Sequence, residues 1–260
     1  MTGGTPHESA FQTSAAGTHD WRLLSLVLGV PTLIGWALLV WWEEEPIGAS
    51  FRHADASGRA GFLPLVLIGW VVMTTAMMLP TTAPLMRVFQ QVVQNRPDRL
   101  RLIGLVILGY VAVWTAVGAV AILGDEALHW TVAHIGLLTR HPHLIGAAVF
   151  LTAGVYQFTP LKRRCLTACR SPFVFVARRW RGGSDAWNAV SLGVDHGAYC
   201  VGCCWSLMLV VFAVGMANVG WMLLTGVVMA VEKNIARAAA LGPLLGVVLF
   251  GTGAILLIGA

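Results

Sequence analysis

Residues 195–208 read DHGAYCVGCCWSLM, and this stretch decides how the rest of the chain is interpreted. It lies inside a long apolar segment, where an acid, an imidazole or a thiolate must find its partners within the protein. A helix turns through about 100° per residue, so side chains four residues apart share a face. That face carries, in order, His196, Cys200 and Cys204, with Tyr199 and Cys203 beside them.

Two interpretations of this face are open. Thiolate and neutral imidazole are ligands that soft or borderline metal ions prefer, which indicates a metal or redox site. Buried cysteine also packs as a small hydrophobic residue, and Gly197 and Gly202 would let another helix approach closely. Because packing alone leaves Asp195 and His196 without polar partners, we expect a metal site at His196, Cys200, Cys203 and Cys204.

The composition predicts an all-α polytopic membrane protein. Of the 260 residues, 57% are hydrophobic and only 11% are charged, whereas a soluble domain carries about a quarter charged residues. We expect a disordered polar tail over residues 1–21 and one transmembrane helical domain over residues 22–260. The formal charge is +5. In a polytopic membrane protein basic residues usually mark the cytoplasmic loops, so this charge does not indicate a nucleic-acid partner.

Seven apolar stretches are long enough to cross a bilayer. They cover residues 23–42, 62–88, 102–123, 144–159, 187–215, 219–237 and 241–259. With these spans, fourteen Lys or Arg residues fall on one side of the membrane and three on the other. Cytoplasmic loops collect basic residues, so the N-terminus is predicted to be cytoplasmic and the chain to lie in the bacterial inner membrane.

Sulfur also occurs outside residues 195–208. Cys165 and Cys169 are four residues apart in a basic segment, residues 162–181, that is predicted to be a cytoplasmic loop. Met73 and Met77 share a helical face, while Met78 is expected to point elsewhere. Thioethers bind Cu(I), although methionine also fills gaps in ordinary cores. We include Cys165, Cys169, Met73 and Met77 among the candidate metal ligands.

Four further polar residues are predicted to support such a site. Asp195 and Tyr199 are candidates to hold the ligands in place, Asp195 by fixing the tautomer of the His196 ring. Glu232 and Lys233 are adjacent in sequence and could neutralise each other or relay protons. At about 1.5 Å per residue, His196, Met77 and Glu232 fall in the cytoplasmic half of the bilayer, and Cys165 and Cys169 follow the fourth span at its cytoplasmic face.

Several common site types are absent from the sequence. It contains no phosphate-binding loop, no GxGxxG motif, no HExxH and no GxSxG, so nucleotide and hydrolase chemistry lack support. The five cysteines are an odd number, and two of them fall in the predicted cytoplasmic segment. A disulfide framework is therefore not expected.

Three segments carry a resemblance to a known family. Residues 69–84 (GWVVMTTAMMLPTTAP), 154–172 (GVYQFTPLKRRCLTACRSP) and 193–208 (GVDHGAYCVGCCWSLM), followed by Glu232 and Lys233, resemble a bacterial family of integral membrane proteins described as predicted metal-binding. The resemblance covers the second to sixth predicted spans. It implies a metal site without assigning a metal or an activity.

We expect a membrane protein that binds a soft metal, copper before zinc or iron, and stores or transfers it. The alternatives are a metal-dependent membrane oxidoreductase and a non-catalytic subunit that packs against other helices, so whether the chain is an enzyme stays open. Expected partners are the lipid bilayer and a metal donor or acceptor protein, and the sequence allows a homo-oligomer.

Overall fold

The computed structural model describes residues 6–44, 59–135, 140–141, 143–180, 183–214, 218–235 and 240–259. Every regular element within these ranges is helical. The prediction of an all-α protein is therefore confirmed for this part of the chain. The first helix begins at Pro6, inside the segment predicted as a tail. The division into a tail and one domain stays a prediction.

The described residues contain ten α-helices and one 3₁₀ turn, Leu79–Thr82. The helices are α1 (Pro6–Glu44), α2 (Arg59–Met78), α3 (Ala83–Val93), α4 (Arg99–His134), α5 (His143–Tyr156), α6 (Pro160–Cys169), α7 (Pro172–Arg179), α8 (Asp185–Val214), α9 (Val219–Asn234) and α10 (Leu241–Ile258).

Several of these helices are compatible with membrane insertion. Among the described residues five segments are long and apolar enough to span a membrane: Arg22–Glu43, Pro64–Val93, Arg99–His134, Asp185–Val214 and Leu241–Ile258. Helices α5 and α6 add a sixth if the pair, bent by 66°, is counted as one span. Helix α9 has 16 residues and is short for a spanning helix. The count of seven spans and the cytoplasmic N-terminus stay predictions.

The basic segment after α5 is helical rather than a loop. The Thr159 hydroxyl accepts a hydrogen bond from the Lys162 amide, and Pro160 occupies the first turn of α6. Both features favour a helix start. The bend between α5 and α6 turns α6 back against α8. As a result, Lys162, Cys165 and Cys169 are buried.

Helix α2 is interrupted close to the candidate ligands. Pro80 lacks the amide hydrogen that would continue the helix, and the chain forms the 3₁₀ turn instead. The hydroxyls of Thr81 and Thr82 donate to the carbonyls of Met78 and Leu79, each over 2.7 Å. These bonds satisfy carbonyl groups that the break would leave free, and they hold the end of α2 in place.

Small residues allow α8 to pack closely against α4. Gly193 and Gly197 are four residues apart on α8, the spacing typical of close helix contacts in membranes. A Cβ atom at Gly193 would lie 2.9 Å from the Val106 carbonyl carbon and 3.0 Å from the Tyr110 amide nitrogen. Contact at this distance sets the register of α8 and brings Tyr110 next to Cys200.

We expect Gly193→Ala to lower the free energy of unfolding by about 1–3 kcal/mol, because the added methyl group pushes α8 away from α4. The measurement is thermal unfolding in detergent. Gly104→Ala is the matched control, since a Cβ atom at Gly104 on α4 meets nothing within 4 Å. Equal stability of the two variants would contradict this account of the interface.

Candidate metal centre

Sulfur atoms gather where α2, α6 and α8 meet. We call Cys165, Cys169, Cys200, Cys203, Cys204 and Met78 the sulfur cluster. All five cysteines are free thiols, and all six side chains are buried. The structure therefore brings together cysteines that are more than thirty positions apart in sequence. Met78, which sequence analysis directed elsewhere, is part of this cluster.

The thiols of α8 are directed largely at their own helix. Cys203 Sγ and Cys204 Sγ donate to the Cys200 carbonyl over 3.1 Å and 2.9 Å. Cys204 Sγ also lies 3.9 Å from the thioether of Met78. From α6, Cys169 lies near enough to Cys203 for the two side chains to interact. The cluster thus joins three helices through sulfur atoms.

Lys233 of α9 places a cation against these sulfur atoms. Its side chain is 5% exposed, and its ammonium group lies 2.8 Å from Cys200 Sγ, with the Met78 thioether at 3.5 Å. Within the described ranges, Lys233 forms no ion pair with a carboxylate, and Glu232 pairs with Lys162 instead. A buried ammonium group requires compensation, and its closest partner is Cys200 Sγ, where it would stabilise a negative charge. The Tyr110 hydroxyl lies 3.0 Å from the same sulfur.

Glu232 faces a different partner from Lys233. Both of its carboxylate oxygens accept from Lys162 Nζ over 2.9 Å, in a pair whose side chains are 2% and 3% exposed. The Gln157 side-chain oxygen accepts from the same ammonium group. Arg170 donates to the Glu232 carbonyl over 2.9 Å. Of the two roles left open for Glu232 and Lys233, mutual neutralisation does not fit this structure, because each is directed toward a different neighbouring helix. The proton relay stays a prediction.

Asp195, His196 and Tyr199 of α8 contact α7, and His196 also lies beside Tyr110, whose hydroxyl reaches Cys200 Sγ. The His196 ring packs between Tyr110 and Phe175, with centroid distances of 5.7 Å and 5.8 Å. Asp195 forms an ion pair with Arg179 of α7. Tyr199 is 41% exposed and contacts the Phe175 ring. These three residues therefore help to dock α7 on α8, and the carboxylate of Asp195 is directed to Arg179.

Met73 and Met77 are buried in the same core as the sulfur cluster. Met77 lies against α9: a Cβ atom at Gly226 would be 3.5 Å from the Met77 Cε atom. Glycine at that position therefore leaves room for the Met77 side chain. The structure places these two thioethers in the same buried core as the cysteines, and their role as ligands stays a prediction.

No group of three or more His, Cys, Asp or Glu side chains in the described ranges is arranged to hold a metal ion. The thiols of Cys203 and Cys204 both donate to the Cys200 carbonyl, so in this structure they serve as hydrogen-bond donors to the backbone. Cu(I) is bound by thioethers as well as thiolates. Sulfur atoms of both kinds are present here.

Sequence reasoning missed four residues that surround the cluster: Tyr110, Gln157, Lys162 and Arg170. Tyr110 carried a signal, because it is one of three tyrosines in the chain and lies inside a predicted span. Lys162 and Arg170 had none, since both belong to a run of basic residues that resembles an ordinary cytoplasmic loop.

We expect Glu232→Gln to lower the free energy of unfolding by about 3–5 kcal/mol, because it leaves the Lys162 ammonium buried without an anion. Asp98→Asn is the control: Asp98 pairs with Arg96 at a half-exposed position, where an ion pair contributes about 1 kcal/mol or less. Thermal unfolding of both variants in detergent measures the difference. Similar losses in the two variants would refute the structural role assigned to Glu232.

We expect Lys233→Met to slow alkylation of Cys200 in the metal-free protein, because without the ammonium group the reactive thiolate is less populated. The measurement is the rate of labelling at Cys200 by a small membrane-permeable reagent, followed by mass spectrometry. Lys233→Arg retains the positive charge and should keep more of the reactivity. Unchanged labelling in Lys233→Met would mean that the lysine does not activate Cys200.

A protein family model described as PpoB2, copper chaperone, matches residues 67–256. The match covers well over half of the chain and includes every residue of the sulfur cluster together with Lys162, Glu232 and Lys233. No curated protein and no solved structure matches the chain.

Proposed function

We propose that this chain, which belongs to the PpoB2 copper chaperone family, is an integral membrane protein that binds Cu(I) in the sulfur cluster and passes it to an acceptor protein. The family supports a copper-related function, and the long apolar helices support a location in the bacterial inner membrane. The observation that carries the proposal is the burial of free thiols and a thioether from three helices at one place.

The donor set fits copper better than the alternatives considered. Zinc sites use cysteine or histidine in closed groups of four, and iron accepts imidazole and carboxylate. In the cluster the donors are sulfur atoms alone, while His196 packs between aromatic rings. Soft thiolates and thioethers select Cu(I). Copper is the cargo in this proposal, held for transfer.

Lys233 is proposed to stabilise negative charge in the metal-free cluster. The ammonium group compensates negative charge on Cys200 Sγ at 2.8 Å, so the thiolate does not remain alone in an apolar core. Cu(I) carries the same single positive charge as this ammonium group. Two cations beside one thiolate would repel each other, so copper binding in this proposal displaces the ammonium group from Cys200 or is accompanied by loss of a proton from a second thiol of the cluster.

The exchange of copper is proposed to occur near α6 and α7. Helix α6 brings Cys165 and Cys169 to the cluster from the segment that holds Arg163, Arg164, Arg178 and Arg179. Basic segments of this kind lie on the cytoplasmic side of membrane proteins. An acceptor or donor with an acidic surface would be attracted to that side, and it would reach Cys165 and Cys169 before the deeper thiols.

We expect the purified, reduced protein to bind Cu(I) in competition with a chromogenic chelator. The triple variant Cys200→Ser, Cys203→Ser, Cys204→Ser should lose most of that copper, because a hydroxyl is a poor ligand for a soft ion. Ser206→Ala is the matched control, since Ser206 is buried on the same helix and carries no sulfur.

Copper content and thermal stability should be measured on the same samples. A folded triple variant that binds as much copper as the wild type would refute the assignment of the site. A wild-type protein that takes up no Cu(I) would refute the proposed function and would favour a packing role for the cysteines.

A further inference from the structure

Three methionines lie in the same buried core as the sulfur cluster but outside it. Met73, Met208 and Met222 belong to α2, α8 and α9, and they are 1%, 2% and 0% exposed. Each helix therefore contributes one thioether to this part of the core. Their relative heights follow from contacts that the structure shows between the helices.

The register of α2 and α9 places Met73 and Met222 at one level. Both helices end beside the sulfur cluster, α2 at Met78 and α9 one residue after Lys233, and these two side chains are in contact. The two helices therefore run in the same direction. Met77 lies against Gly226. Met73 precedes Met77 by four residues and Met222 precedes Gly226 by four, so both lie about 6 Å further from these helix ends.

Helix α8 runs in the opposite direction. The first residue of α8, Asp185, binds Arg96 over 2.6 Å. Arg96 lies after α3, past the C-terminal end of α2. The N-terminal end of α8 is therefore on the side of the bundle where α2 ends. Along α8, Cys204 lies next to Met78 at 3.9 Å. Met208 is four residues further on the same face, about 6 Å beyond that contact. This displacement brings Met208 to the level of Met73 and Met222.

We infer that Met73, Met208 and Met222 form a second soft-metal site, a thioether site for Cu(I), one helical turn from the sulfur cluster on the side away from the basic segment. This inference rests on the proposed copper function. Thioethers are soft ligands that suit Cu(I). Three of them, one from each helix, supply a complete set of soft donors without any deprotonation.

The chemistry of the ligands makes this site weaker than the cysteine site. Thioethers are neutral, so the positive charge of the metal stays uncompensated in an apolar core. Thiolates neutralise that charge. Copper at the methionines is therefore the more readily released of the two, which suits a position that the ion occupies on its way between the cysteines and the opposite membrane face.

The test uses selenomethionine-labelled protein titrated with Cu(I), with X-ray absorption at the selenium edge to detect copper bound to thioethers. The variant Met73→Leu, Met208→Leu, Met222→Leu removes the three donors, and leucine replaces methionine in a core at modest cost. Met86→Leu is the matched control, because Met86 is equally buried but belongs to a separate core cluster. Met208→Leu alone serves as a second variant if the triple variant is unstable.

We expect wild type and Met86→Leu to bind a second, weaker copper equivalent that raises the selenium–copper signal above the part due to Met78 in the sulfur cluster. The triple variant should lose this equivalent and this additional signal while it keeps the tighter equivalent. The single variant should weaken the second equivalent. A folded triple variant with wild-type copper content and selenium signal would overturn this site and leave the cysteine site standing. Loss of the tighter equivalent together with the second would also overturn it, since the methionines would then not form a separate site.

Discussion

An ammonium group buried among sulfur atoms is the constraint on which the rest of this arrangement depends. Removing a charge from water costs several kcal/mol unless an opposite charge or hydrogen bonds compensate it. Glu232 is already occupied by Lys162 and cannot serve Lys233. Cys200 is therefore left as the closest partner of Lys233. Because Glu232 pairs with Lys162, the next residue of α9, Lys233, interacts with Cys200 instead.

This division of charge links the helix packing to the proposed chemistry. Arg170 and Lys162 hold the end of α9 against α6, while Lys233 reaches toward α2 and α8. The three helices that carry the cysteines and Met78 are thus connected by α9. A soft monovalent cation that displaced Lys233 from Cys200 would meet the thiols of the cluster and the thioether of Met78. That combination favours Cu(I) over a metal that requires a closed set of hard or borderline ligands.

Part of the site could be read from local spacing. The four-residue steps of α8 predicted that Cys200 and Cys204 would share a face, and both are buried in the cluster. The same rule grouped His196 with them, yet its ring lies between Tyr110 and Phe175. The spacing indicates which residues share a face, but the positions of α4 and α7 decide what His196 meets.

The sequence by itself determined that the chain is helical and strongly apolar, and that its cysteines fall on two segments with helical spacing, because composition and periodicity are local properties. The tertiary structure alone decided that α6 turns back on α8, that Glu232 pairs with Lys162, and that Lys233 faces Cys200. Such pairings join residues tens of positions apart. They depend on the angle of one bend and on where each buried charge finds the least costly partner.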